Sequence, residues 1–172
     1  MHTQKALLSL ILSLLMLTLW AVPALAATDA DVTVTYTVEY IAITDNTTSV
    51  GFGVIVASAT PSTPTDHIAI TNDSSVQVDA TISVTGTTWT GGTAHTHSDT
   101  ATPGANTVGL KANRGGTWGV SDIIVKYDTP NFIYENCAAG VDFAYGLKLY
   151  APTSSSDGVQ KSNTVRVTVA SG

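Results

Sequence analysis

Cysteine, charge and helical pattern are all scarce in this 172-residue chain. Cys137 is the single cysteine, so no internal disulfide can form and the fold depends on its core. Only 12% of residues are charged, with 7 Lys+Arg against 13 Asp+Glu and a formal net charge of −6. No Lys/Arg cluster interrupts that acidity, which excludes the electrostatic footprint of a nucleic-acid binder or of a protein drawn to anionic membranes. At 44% hydrophobic the chain is too apolar for a disordered polyampholyte. Beyond residue 26 no stretch carries an i, i+3, i+4, i+7 apolar stripe. β-Branched Thr and Val stand where a helix favours Ala, Leu, Glu or Lys, which argues against a helical bundle.

One long apolar run is present, at the start. Residues 1–26, MHTQKALLSLILSLLMLTLWAVPALA, combine Lys5, an uncharged run of about 17 residues and small residues at Ala24 and Ala26. This is the pattern of a secretory signal peptide cleaved before Ala27. The competing reading is a retained membrane anchor, for which the run is at the short limit. Residues 27–172 are then expected to form one secreted domain at the cell surface, without membrane association after cleavage. Cys137, followed by Ala138, Ala139 and Gly140 and with no basic neighbour, is expected to be a buried or inert thiol.

After the leader the pattern has period two. Residues 31–40, DVTVTYTVEY, put Val32, Val34, Tyr36, Val38 and Tyr40 on one face and Thr33, Thr35, Thr37 and Glu39 on the other. The parity flips at Ile41 and Ile43, suggesting a bulge or a passage between sheets. Further strands are expected at residues 49–56, 67–71, 75–85, 107–112, 122–127, 131–134, 141–151 and 162–170, separated by turn-forming clusters of Gly, Pro, Asn and Asp. About nine short strands predict an all-β domain: an antiparallel β-sandwich, jelly-roll or immunoglobulin-like. Trp89 and Trp118, beside glycines just past strand ends, read as plugs of the open core ends rather than as ligand platforms.

The leader, the strand-like N-terminal stretch, SVGFGVIV, the HIAITNDSSVQVDATISVTGTTWTGG block and the closing GLKLYAPTSSSDGVQKSNTVRVTVASG together resemble small exported β-sandwich proteins of microbial surfaces. Within that group the chain is similar to TasA/camelysin-type biofilm fibre proteins and archaeal bundling pilins. The resemblance covers most of residues 27–172 as pattern and length, without a diagnostic motif. It implies a jelly-roll subunit that polymerises head to tail when the N-terminal strand of one copy completes the sheet of the next. Residues 31–39 suit that role, with Val32, Val34, Tyr36 and Val38 as the buried face; pairing within the same domain is the alternative.

Chemistry-bearing motifs are absent: there is no Gly-x-Ser-x-Gly elbow, His-Glu-x-x-His, Walker loop or Gly-x-Gly-x-x-Gly, and no cofactor or enzymatic activity is expected. Glu39 and Glu135 are the only glutamates, and nothing in the spacing places them together. His95, His97 and Asp99 alternate, so a strand would present all three on one face as ligands for a divalent metal such as zinc, with His67 as a distant fourth donor. The surrounding TGGTAHTHSDTATPG reads instead as a polar loop with bystander histidines. Oxygen-rich sites at Asp29/Asp31, Asp45/Asn46, Asn72/Asp73 and Asp157 lack the dense spacing of a calcium loop and read as turn residues. Asn46 and Asn72 begin N-x-Ser/Thr sequons and are the glycosylation candidates.

Two functions outrank an enzyme. The first is a structural protein, a subunit of an extracellular filament or matrix whose partner is itself. The second is a module binding cell-surface or matrix glycans, with Trp89, Trp118, Tyr127 or Tyr150 as stacking platforms.

Overall fold

The structure is a computed structural model that describes residues 35–36, 39–47 and 49–172. The chain divides into two compact units, Met1–Thr37 and Val38–Gly172, and nearly all of the first lies outside the described residues. So do the expected leader at 1–26 and, of the expected assembly strand, Val32, Val34 and Val38; Tyr36 is described and belongs to no strand.

The described residues are all-β, with no helix and eleven strands: β1 (Ile43–Asp45), β2 (Ile68–Asn72), β3 (Val78–Val84), β4 (Thr88–Trp89), β5 (His95–Ser98), β6 (Thr107–Asn113), β7 (Ile123–Ile124), β8 (Lys126–Tyr127), β9 (Asn131–Cys137), β10 (Asp142–Tyr150) and β11 (Val165–Ser171). A seven-stranded sheet runs β1-β2-β10-β6-β5-β4, with β7 also on β6. A four-stranded sheet runs β11-β3-β8, with β9 also on β3. Alternation builds the core. Val78, Ala80, Ile82 and Val84 of β3 and Phe143, Tyr145, Leu147 and Leu149 of β10 join Ile68, Ile70, Val108, Leu110 and Ala112 in one apolar cluster drawn from both sheets.

Two pairings depart from the expected antiparallel order: β5 lies parallel to β6, and β8 parallel to β3. The second has a local cause. Residues 122–127, expected as one strand, split at Val125 into β7 on one sheet and β8 on the other. A segment already directed by antiparallel pairing with β6 meets β3 in whatever direction it points, which here is parallel. Residues 49–56 form no strand. Gly53 takes a left-handed φ of 68°, so Val50, Phe52 and Ile55 pack against the core while Val54 and Val56 are exposed. At the parity flip, β1 is only three residues long, and the chain before it is held by the Ser74 and Ser75 hydroxyls bonding the backbone of Ala42 and Tyr40.

β10 is shared end to end. Its residues 142–145 pair with β2 and its residues 146–150 with β6. At the handover, the chain at Pro64–Thr65 lies directly on the outer face of Gly146: a Cβ there would stand 2.2 Å from the Pro64 carbonyl oxygen. On β6, a Cβ on Gly109 would lie 2.7 Å from Ala101. Both obstacles are backbone and cannot swing away. Gly146→Ala is therefore expected to destabilise the domain by about 2 kcal/mol or more, in the range of overpacked cores. Denaturant titration against the unmodified protein checks this; an unchanged midpoint would refute the close approach.

Candidate functional site

The segment 95–99 is where sequence chemistry was densest, and the structure makes most of it β5 rather than a polar loop. His95 and His97 both face inward and are buried, with Thr96 exposed between them. His97 Nδ1 accepts a hydrogen bond from Trp89 Nε1 at 3.3 Å, and because indole can only donate, the ring proton sits on Nε2. Nε2 then donates to the Val125 carbonyl at 2.8 Å. Both nitrogens are committed, and the rings of Trp89 and His97 stack at 6.4 Å. Asp99 lies 3.7 Å from His97 but accepts the Tyr127 backbone N–H at 2.7 Å. Among the described residues no three His, Cys, Asp or Glu side chains cluster as metal ligands. Of the candidate trio, His97 is thus part of a core hydrogen-bond relay: it caps the carbonyl of Val125, the residue at which the chain changes sheets.

His95 contacts the Ser155 hydroxyl through Nε2 at 3.1 Å, while its Nδ1 is buried without a partner. Nearby, Asp157 is bonded to Lys161 and the Thr93 N–H, which hold its carboxyl well below the usual range. Burial pushes the His95 pKa down from 6.5, with the Lys161 charge adding to the effect and Asp157 opposing it.

Asp29 and Asp31 lie outside the described residues; the described candidate oxygens are also bonded locally. Asp45 accepts from the Thr47 N–H at 2.8 Å, and Asp73 bonds the Thr44 hydroxyl. Asn72, expected as a glycan acceptor, is 0% exposed and is corrected to a structural residue. Its amide donates to the carbonyls of Val76, Cys137 and Ala138, and its oxygen accepts the Ser74 N–H. A glycosylated Asn72 nitrogen would keep only one of its two N–H donors, and the buried side chain has no room for a sugar. Asn46, the other sequon asparagine, is exposed. Cys137 is buried, and burial, then the Asp142 charge, raises its thiol pKa. Glu135 lines a shallow cleft of about 280 Å³ with Arg114, Ser121, Ile123 and Phe132.

Trp89 is buried, whereas Trp118, Tyr127 and Tyr150 are only half-buried. Trp118 and Tyr150 belong to a cluster on the outer face of β6 and β10. Lys111 and Lys148 face one another across the ladder. Both ammonium groups lie over Tyr150, at 5.4 and 5.7 Å, and Lys148 is 5.8 Å from the Trp118 ring. Trp118 is fixed by its Nε1 donating to the Thr63 carbonyl. Asp122, whose side chain is 6% exposed, lies 3.7 Å from Lys111. Burial works to raise the Asp122 pKa, but the Gly119 N–H, the Asn113 amide, Lys111 and Lys148 together hold it below its ordinary value. Sequence reasoning named the two aromatics and missed both lysines, which only the β6–β10 register brings together.

The sheet margins differ in a way that bears on assembly. β1 and β4 are three and two residues long, and β9 is irregular, with register shifts against β3. β11 is seven residues long, in unbroken register with β3, and its outer edge is unpaired among the described residues. Val165, Val167 and Val169 lie opposite Val84, Ile82 and Ala80 on the same face. Those β3 residues are at most 2% exposed, yet the β11 valines are only half-buried. Among the described residues no strand covers the core beyond β11.

Compared with known protein families, curated proteins and solved structures, the chain has no match.

Because the fold holds His95 neutral, its contribution to stability is full above pH 6.5 and is lost as pH falls below 6.5 through the lowered folded value. Thermal melts are expected to show Tm falling from pH 7 to pH 5, and the fall should be smaller in His95→Gln. Equal slopes in the two proteins would assign the pH effect elsewhere.

Proposed function

We propose that the protein is an exported structural subunit of an extracellular filament or matrix, assembled when residues 31–39 of one copy pair with the β11 edge of the next. The observation that carries this reading is the long, regular β11 edge, unpaired among the described residues, with its half-buried valines. An open edge of that kind is a template for strand addition, and the remaining margins are short or irregular, as sheet edges that avoid pairing usually are. In this reading the two sheets are the layers of a jelly-roll-like sandwich, supported by the single apolar cluster to which both contribute.

The strand to be donated has the matching pattern. Burial of Val32, Val34, Tyr36 and Val38 contributes about 1.5–3 kcal/mol each. Together with backbone pairing this competes with an association cost of about 4–15 kcal/mol. Such a contact does not close on itself and propagates as a fibre. The resemblance to TasA/camelysin-type fibre proteins and bundling pilins points the same way.

Negative-stain microscopy of residues 27–172, beside a chain starting at residue 40, tests the proposal. Fibres are expected from the first and monomers from the second, and a peptide of residues 27–39 should slow elongation. Fibres from both, or monomers from both, would overturn it.

A further inference from the structure

Lys111 and Lys148 stand directly opposite each other on β6 and β10, an arrangement that destabilises a sheet unless something offsets the repulsion. Asp122 offsets one charge and is already engaged by the Gly119 N–H and the Asn113 amide. The pair therefore keeps an excess of one positive charge, on a chain of formal charge −6. The same outer face is bounded along the strands by two backbone walls, at Pro64–Thr65 over Gly146 and at Ala101 over Gly109. The rows of these two glycines are four residues apart, so the walls stand roughly 13 Å apart at about 3.3 Å per residue. The Lys111/Lys148 row lies midway between them, with Tyr150 in the row of Gly109 under both ammonium groups and the Trp118 ring 5.8 Å from Lys148, both rings half-buried.

We propose that this trough binds an acidic polysaccharide. The anionic group of a sugar unit, carboxylate or sulfate, lies between Lys111 and Lys148, and the carbon-bound face of the sugar ring rests against Trp118 or Tyr150. An anion there supplies the charge the two lysines lack, and the rings select a sugar over a bare ion, since aromatic faces pack apolar C–H surfaces while hydroxyls remain in water. Neither Lys nor an aromatic face separates carboxylate from sulfate, so acidic charge on a sugar is the recognised chemistry. The trough lies on the seven-stranded sheet and β11 on the other, so binding requires no polymer and stands apart from the assembly proposal.

Titration calorimetry of the protein at low salt, with tetragalacturonate, a sulfated dextran oligosaccharide, neutral dextran and sodium phosphate, tests this. One or both acidic sugars are expected to bind, and which of them binds identifies the anionic group. Neutral dextran should not bind, and phosphate should bind at least tenfold more weakly than the better sugar. The Lys111→Gln/Lys148→Gln double variant should lose at least tenfold in affinity, and Trp118→Ala and Tyr150→Ala together several-fold. Lys148→Gln alone leaves the Lys111–Asp122 pair intact and serves if the double variant does not fold, as judged by circular dichroism. Failure of both acidic sugars to bind, undiminished binding by the folded lysine variants, or phosphate binding as tightly as the sugars would each overturn the proposal.

Discussion

The larger sheet depends on the absence of a side chain at residue 146. β10 pairs with β2 up to Tyr145 and with β6 from Gly146 onward, so one strand holds together two ladders that would otherwise be separate. At that point the backbone of Pro64–Thr65 presses onto the strand at a distance no Cβ would allow. From there the chain at 59–63 continues alongside β10, with the Thr63 N–H donating to Leu147, Leu149 to Pro61 and Ala151 to Ala59. Trp118 is then anchored on the Thr63 carbonyl. The cation–aromatic trough is thus a downstream result of where a glycine permits two backbones to touch.

A second constraint joins the two sheets. Val125 is 0% exposed and sits between β7 and β8, where the chain leaves one sheet for the other. Such a crossing cannot complete either ladder. Its N–H goes to the Leu110 carbonyl and its own carbonyl is taken by His97, which Trp89 orients. Asn72 does similar work at the end of β2, joining it to the end of β9 through the Cys137 and Ala138 carbonyls and to the following turn through Val76. The buried polar side chains are fasteners of irregular backbone, and this accounts for histidines and asparagines in the core of a chain without catalytic motifs.

The outside of the molecule then divides by sheet. The four-stranded sheet ends in β11, whose valines have no outer strand among the described residues, and the proposed assembly acts there. The seven-stranded sheet carries the opposed lysines, and the proposed sugar binding acts there. A matrix protein with one surface for its own kind and another for acidic sugars would link fibres to the polymer around them.

Much of the architecture was legible because a strand writes its face into its own sequence. β2, β3, β6, β9, β10 and β11 each overlap an expected strand, since alternation of apolar and polar residues is a local property. Residues 49–56 misled because the pattern of SVGFGVIV is interrupted by a glycine whose backbone turns left-handed, and composition does not reveal φ. β5 was missed because its inward residues are histidines, which count as polar until their partners are known. Those partners are remote: Val125 lies 28 residues from His97, and Ala138 lies 66 from Asn72. What the sequence determined by itself was the all-β class and the position of most strands, because side-chain alternation and turn chemistry act between near neighbours. The tertiary structure alone decided which edge is unpaired among the described residues, which polar groups are buried and which two lysines meet, because each depends on the register between strands distant in the chain.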